Sequence, residues 1–103
     1  MIVIDRRVLQ QFVDSLDEMG DQLAASSALS AWMEEVGRAC WTSIGEVKSL
    51  YPTARTLSGE HIVFNILGTD YCLDVKVDFE KGIVWTKWIG TPDEHNRTYG
   101  TGN

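Results

Sequence analysis

Ionisable side chains of the kinds that carry acid–base chemistry are concentrated between residues 85 and 97 of this chain. Lys87 lies in a stretch of β-favouring residues, and Glu94, His95 and Arg97 follow in a polar segment. Histidine exchanges a proton near neutral pH, while lysine and arginine stabilise negative charge that develops on oxygen. We therefore expect chemistry here, although His95 could equally be an exposed loop histidine, and Lys87 a solvated strand lysine, without a task.

The residues around this segment predict three consecutive antiparallel strands from His61 to Ile89. Apolar and polar residues alternate in the middle strand, so one face meets a core and the other is polar. The apolar set is Tyr71, Leu73, Val75, Val77 and Phe79, and the polar set is Cys72, Asp74, Lys76 and Asp78. The turn at residues 80–82 favours a hairpin, because Gly82 admits a positive φ. His61 is expected at the surface, where the first strand begins.

The first half of the chain predicts a short strand at residues 2–4 and then helices. Asp5 is placed to cap a helix that begins near Arg6. The apolar stripe of this helix recurs at intervals of three and four residues: Val8, Leu9, Phe12, Val13, Leu16 and Met19. Gly20 is expected to interrupt it. Ser26 and Ser27 are expected to cap a second helix, with the stripe Leu29, Trp32, Met33 and Val36.

A third, short helix is indicated by Ser43 and Glu46, which have the spacing of a capping box, and Pro52 closes it. Residues 53–60 are expected to form a loop. A sheet with one apolar face needs helices to cover it. The order of elements therefore predicts an α+β fold, in which two helices and a short helix pack on one face of a three-stranded antiparallel sheet.

Length and composition predict one domain over residues 1–103, with a frayed end at 98–103. The apolar runs fall far short of the roughly 20 residues that cross a bilayer, and the charged N-terminus does not suit a secretory signal. We therefore expect a cytoplasmic protein, in which Cys40 and Cys72 are free thiols. Two distant histidines without a ligand pattern predict no metal site, and no motif predicts a cofactor.

Net charge argues against binding to nucleic acid. The chain carries −6 at neutral pH, whereas contacts to phosphate need cations. The acidic excess is larger in residues 1–50, with four basic and eight acidic side chains, than in residues 51–103, with five and seven. Lys76, Lys87 and Arg97 could still form a small basic patch on the sheet, although Asp74 and Asp78 flank Lys76 on its own face.

Four tryptophans are many for this length, and three of them are expected to fill the interface between helices and sheet. Trp85 and Trp88 have opposite parity in their strand, so one of the two should face away from the core. An exposed tryptophan beside a lysine could stack on a nucleobase or anchor a protein partner, and simple packing is the third alternative.

A further set of residues, spread over nearly the whole chain, forms a pattern of residue types in a fixed order. It comprises Val3, Ile4, Arg6, Leu9, Phe12, Ala31, Trp32, Trp41, Glu46, Val47, Lys48, Val63, Phe64, Asn65, Ile66, Gly68, Tyr71, Leu73, Gly82, Ile83, Val84, Gly90, Thr91 and Glu94. In order and spacing this set resembles the HigB family, the RelE-like toxins of bacterial type II toxin–antitoxin systems. The resemblance implies a small domain with a mixed or antiparallel sheet, and an endoribonuclease that cuts mRNA, often at the ribosome.

The resemblance also implies roles for particular residues. Cleavage by the 2′-hydroxyl of RNA needs a proton acceptor, cations beside the phosphorane and an acid for the leaving oxygen. His95 would be the base or the acid, Lys87 would stabilise the charge, and Arg97 would contact phosphate. Glu94 would orient one of these cations. The residues expected to bind RNA are Lys76, Asn65, Trp88 and Arg6. The expected partners are mRNA, the ribosome and a cognate antitoxin, a small helix-turn-helix protein.

An arginine and a histidine of the family's expected active surface are missing. Cys72 stands where the family has arginine, and Pro92 stands where it has histidine. Two functions are therefore open. The chain could be an active mRNA interferase whose catalytic set has moved to His95, Lys87 and Arg97, or a toxin-like protein without nuclease activity that serves as a binding or regulatory module.

Overall fold

The computed structural model describes residues 1–57 and 60–99, the last two by their backbone alone. In chain order the elements are β1 (Ile2–Ile4), α1 (Arg6–Ser15), α2 (Met19–Arg38), α3 (Ile44–Leu50), β2 (Arg55–Thr56), β3 (His61–Ile66), β4 (Tyr71–Asp78), β5 (Ile83–Gly90) and α4 (Pro92–Tyr99). The α+β class is confirmed. The predicted frayed end stays a prediction, because residues 98 and 99 close α4 and residues 100–103 lie outside the described part.

The sheet has five strands in the order β1-β5-β4-β3-β2, and it is mixed. β3, β4 and β5 form the predicted antiparallel meander, while β1 pairs in parallel with the first three residues of β5. The prediction of three strands was wrong at both edges. The N-terminal strand joins one edge, and Arg55–Thr56, expected in a loop, pairs with β3 at the other. Pairing gives these short segments partners for their backbone polar groups.

One face of the sheet meets α1, α2 and α3 across a hydrophobic core. Leu29, Trp32 and Val36 of α2 are buried there, as the predicted stripe requires. Phe64 of β3 lies between two tryptophans, with ring centroids 5.5 Å from Trp32 and 6.1 Å from Trp41. Aromatic rings at this separation pack favourably. Two tryptophans, and not the three expected, therefore fill the interface between these helices and the sheet.

A β-bulge places both remaining tryptophans on the opposite face of the sheet. Asp74 of β4 pairs with Trp88, but the next residue, Val75, pairs with Thr86, which leaves Lys87 as an extra residue in β5. An inserted residue resets the alternation of side chains. Trp85 and Trp88 therefore share one face, and the expectation that one of them faces the core was wrong.

The boundary between the first two helices differs from the prediction. α1 ends at Ser15, whose hydroxyl donates to the Phe12 carbonyl, and α2 begins at Met19 and continues without a break to Arg38. Gly20 lies in the first turn of α2, and Ser26 and Ser27 lie inside the helix. The buried residues Ala25, Leu29, Trp32 and Val36 recur at helical spacing, so core packing outweighs the local preference of serine for helix starts.

The predicted helix caps are borne out in part. Asp5 precedes α1, but its side chain makes no capping bond. Ser43 accepts a hydrogen bond from the Glu46 backbone N–H at 3.2 Å, and this begins α3 as expected. The Glu46 carboxylate, however, accepts from Thr42 and not from Ser43. Both hydrogen bonds of a capping box are therefore present at the start of α3, but Ser43 accepts one of them and Thr42 donates the other.

The fourth helix, α4, was not predicted, and it corrects the expectation that helices cover one face only. It contacts β4 and β5 on the face opposite to the core. Thr91 and Glu94 form a capping box at its start: the Glu94 carboxylate accepts from the Thr91 backbone N–H at 2.9 Å, and the Thr91 hydroxyl accepts from the Glu94 N–H at 3.2 Å. Pro92 occupies the first helical position, where its missing N–H costs nothing.

Candidate functional site

The face of the sheet opposite the core, called the outer face here, carries polar and ionisable side chains from four strands. The residues that the strand registers place on it include Arg55, His61, Val63, Asn65, Cys72, Asp74, Lys76, Asp78, Trp85, Trp88 and Gly90. α4 covers one half of this face, and the other half is open to solvent. The two halves differ in burial and therefore in what they can do chemically.

In the covered half, α4 packs a histidine against the sheet. His95 is fully buried, and its ring centroid lies 5.3 Å from that of Trp88. The exposed loop position considered for His95 is therefore wrong, since the residue belongs to a helix and its ring does not reach solvent. Gly90 permits this packing, because a Cβ built there would come within 2.6 Å of the Trp88 ring and 2.8 Å of the Glu94 carboxylate.

Asp74 is the centre of the outer face, and it is fully buried. Its Oδ2 lies 3.1 Å from His95 Nε2, and its Oδ1 is bonded to His61 Nε2. A buried carboxylate is costly unless it is hydrogen-bonded. Both histidines of the chain therefore satisfy one carboxylate, which explains how a charged residue expected on a solvated face can be buried instead.

The open half contains four residues that we call the open patch: His61, Lys76, Trp85 and Lys87. His61, Lys76 and Trp85 are partners in one row across β3, β4 and β5, which places their Cβ atoms about 5 Å apart. Lys87 Nζ lies 5.7 Å from the centre of the Trp85 ring. Both lysines are exposed, Trp85 is half-buried, and the His61 side chain keeps 30% of its accessible surface.

The open patch is cationic in a protein of net negative charge. Asp74 lies beside it, but this carboxylate is buried and bonded to both histidines. Asp78, the other carboxylate expected next to Lys76, is half-buried and accepts a hydrogen bond from the Lys81 backbone N–H at 2.9 Å. Two lysines beside an accessible tryptophan can contact a phosphate and stack on a base at the same time.

A third cation reaches the outer face from the edge strand. Burial raises the pKa of the Cys72 thiol, and the positive charge of the nearby Arg55 guanidinium opposes the increase. Arg55 thus stands beside the position where the family has arginine and this chain has cysteine. Asn65, the cross-strand partner of Cys72, is half-buried and its amide donates to the Thr53 carbonyl at 3.4 Å.

Lys87 also borders a cleft of about 660 Å³ between α1 and the end of β5, where β1 no longer covers the strand edge. Trp88 and Glu94 line the same cleft, with Phe12 and Tyr71 opposite. These two rings pack edge to face with centroids 4.9 Å apart. An extended ligand on the open patch can therefore continue past Lys87 into an aromatic cleft.

The remaining predicted residues lie apart from the open patch. Arg97 is exposed on α4. Arg6 begins α1 and lines a different groove, between α1 and α2. Glu94 is engaged in the α4 cap, where its carboxylate accepts from Thr91, and it pairs with no lysine or arginine among the ion pairs of the described residues. The structure therefore brings Lys76 and Lys87 together, groups His95 with Trp88 and Glu94, and separates Asn65 and Arg6 from both.

Sequence reasoning assigned no functional role to three residues of this face: His61, Asp74 and Arg55. Strand alternation places Asp74 correctly, but nothing local indicates that two histidines bury it. The cross-strand pairing of β3 with β4 could have found His61, because it puts position 61 diagonally next to position 74. No sequence signal points to Arg55, which lies in a two-residue strand.

No helix in the described part of the chain is long and apolar enough to cross a membrane. Within residues 1–57 and 60–99 there is also no group of three or more histidine, cysteine or acidic side chains able to hold a metal ion. Cys40 and Cys72 are free thiols, as expected, the first exposed and the second buried.

The chain was compared with known proteins and protein families. A comparison with curated proteins gave no match. A family model described as HigB_toxin, RelE-like toxic component of a toxin-antitoxin system, matches residues 25–98, which include α3, α4 up to its last residue but one, and all strands except β1. The match thus covers most of the chain and the whole outer face. The chain belongs to the HigB family of RelE-like toxins.

Proposed function

We propose that this protein is an mRNA interferase, an endoribonuclease that cuts mRNA during translation in the cytoplasm and is neutralised by a cognate antitoxin. The observation that supports the nuclease activity is the open patch. It concentrates Lys76, Lys87 and Trp85 on an accessible surface, while the carboxylates beside them are buried or bonded. Membership of a toxin family supports the same activity and implies the antitoxin.

Three residues of the open patch, Lys76, Lys87 and Trp85, have roles suited to RNA cleavage. Lys76 and Lys87 neutralise the phosphate and stabilise the charge that builds up on the phosphorane oxygens. Trp85 stacks on a base next to the scissile bond, which is a contact that tolerates different sequences. Trp88 and the aromatic cleft receive the neighbouring nucleotide, and Arg97 and Arg55 extend the cationic surface on either side.

The net negative charge of the protein limits its binding to RNA free in solution. Affinity for nucleic acid depends on the number of phosphates that cations neutralise, and this chain offers few. A ribosome that presents the mRNA raises its local concentration and removes this requirement. We therefore propose that translated mRNA is the substrate, with the ribosome as a second partner.

The test compares charge-matched variants. Purified wild type, Lys76→Gln/Lys87→Gln and Arg7→Gln/Lys81→Gln are added to a reconstituted translation reaction, and cuts are mapped by primer extension. Both double variants lose two positive charges, but Arg7 and Lys81 lie outside the open patch. We expect the patch variant to lose roughly 10²-fold or more in cleavage rate and the control to stay within about twofold of wild type. Equal losses in both variants would show that only net charge matters.

The antitoxin is expected to be a small helix-turn-helix protein encoded beside this chain. Its co-purification with the toxin, and suppression of mRNA cleavage when it is added, would support the pairing. A wild-type protein that binds this partner and leaves every mRNA intact would instead indicate a binding module without nuclease activity.

A further inference from the structure

Asp74 holds the two histidines of the chain in very different surroundings. One carboxylate oxygen is bonded to His61 Nε2 and the other lies 3.1 Å from His95 Nε2. The His95 ring is completely buried beneath α4, whereas the His61 side chain is 30% exposed at the start of β3. His61 is thus the imidazole that both contacts the buried carboxylate and reaches solvent.

The position of His61 completes the open patch. It is the cross-strand partner of Lys76, and Lys76 is in turn the partner of Trp85. A phosphodiester bound by Lys76 therefore lies within reach of the His61 ring. Because Asp74 engages Nε2, the ring presents Nδ1 to a ligand on the open patch. A carboxylate on one ring nitrogen fixes the tautomer and the orientation of the ring and makes the other nitrogen a better proton acceptor.

From this geometry we infer that His61 is the catalytic proton acceptor of the open patch, and that Asp74 and His95 are positioning residues. The inference depends on the ribonuclease function proposed above and identifies the group that performs its proton transfer. Asp74 aligns His61 and stabilises the imidazolium that forms, and His95 fixes Asp74 from the buried side. The family pattern at positions 72 and 92 can then change without loss of the proton acceptor.

The step transfers one proton and exchanges one P–O bond for another. His61 Nδ1 takes the proton of the 2′-hydroxyl, and the 2′ oxygen forms a bond to phosphorus. The bond from phosphorus to the 5′ oxygen breaks, and its electron pair stays on the 5′ oxygen. That oxygen takes a proton from water, and the imidazolium returns its proton to the hydroxide that remains. The products are a 2′,3′-cyclic phosphate and a 5′-hydroxyl, with no net change in protons.

The test uses four variants of the full chain and an mRNA programmed on ribosomes. His61→Gln retains a donor for Asp74 but cannot accept the proton, so we expect a folded protein whose cleavage rate is roughly 10²- to 10⁴-fold lower. His61→Ala is expected to regain activity when imidazole is added. Asp74→Asn is expected to lower kcat with KM unchanged, which a loss of RNA binding would not produce. His95→Gln keeps a donor for the Asp74 carboxylate, so it is expected to lower kcat by a smaller factor than Asp74→Asn does.

Thermal unfolding of each variant separates a loss of chemistry from a loss of fold. Wild-type cleavage together with undiminished cleavage by folded His61→Gln would overturn the assignment of His61 and leave the ribonuclease function standing. A His95→Gln variant that alone abolishes cleavage, and is rescued by imidazole, would transfer the role to His95. A wild-type protein that cuts no mRNA would refute the ribonuclease function itself, and the catalytic role of His61 with it.

Discussion

Replacing Gly90 by alanine should disturb the contact that seats α4 on the outer face. The added Cβ would lie 2.6 and 2.8 Å from two atoms of the Trp88 ring and 2.8 Å from the Glu94 carboxylate. Real Cβ contacts are longer than this, so the ring and the cap must both shift. The Trp88 ring has limited room to move, because it packs against the buried His95 ring, with the two ring centroids 5.3 Å apart.

The expected size of the effect follows from this crowding. Overpacking of this kind typically destabilises a protein by about 1 to 3 kcal/mol. In a domain of this length each kcal/mol lowers Tm by about 4 to 8 °C, so we expect Gly90→Ala to unfold roughly 4 to 24 °C below wild type. The assay is thermal unfolding followed by circular dichroism at matched concentration.

Gly37→Ala is the matched control. Gly37 lies inside α2, and a Cβ there meets nothing within 4 Å, so alanine should raise stability by about 0.5 to 1 kcal/mol through its higher helix propensity. The same chemical change is thus predicted to act with opposite sign at the two positions. A Gly90→Ala protein that unfolds at the wild-type temperature would refute the packing of Trp88 against Gly90 and the position of α4.

Thr91→Ala removes the hydroxyl of the α4 capping box and should lower the free energy of unfolding by about 1 kcal/mol, measured by urea denaturation; an unchanged midpoint would contradict the cap. Iodoacetamide should alkylate the exposed Cys40 before Cys72, because burial raises the pKa of the Cys72 thiol, and mass spectrometry would reveal the reverse order. Burial, aided by a hydrogen bond to Glu35, raises the pKa of Tyr51 in the folded protein. The protonated phenol therefore contributes fully to stability below the pKa of tyrosine in the unfolded chain, about 10, and this contribution is lost as pH rises above that value. Tyr51→Phe should therefore flatten the loss of stability above about pH 10, and parallel curves of the two proteins would contradict this.

The strands of the meander could be predicted because their alternation is set by the core. Leu73, Val75 and Val77 are buried on one face of β4, as the pattern requires. The same alternation fails in β5, because the extra residue Lys87 changes the parity of everything after it. A bulge depends on the pairing of two strands, and the sequence of one strand does not reveal it.

The fourth helix shows a different limit of sequence reasoning. Thr91, Pro92 and Glu94 have the spacing of a helix start, and this signal could have been used. An apolar stripe normally confirms such a helix, but α4 buries His95 instead. The burial is possible because Asp74, 21 positions earlier, accepts a hydrogen bond from that ring. A polar contact between distant residues leaves no periodic pattern, and for this reason the covered half of the outer face could not be predicted.

The ends of the RNA fragments test the central claim most directly. Wild-type protein is incubated with a translated mRNA, and the new 5′ ends are treated with polynucleotide kinase before ligation and sequencing. Attack by the 2′-hydroxyl on the open patch predicts cuts that depend on the protein, carry a 5′-hydroxyl and are captured only after the kinase step. An mRNA that remains intact, or new ends that carry a 5′-phosphate, would contradict the account.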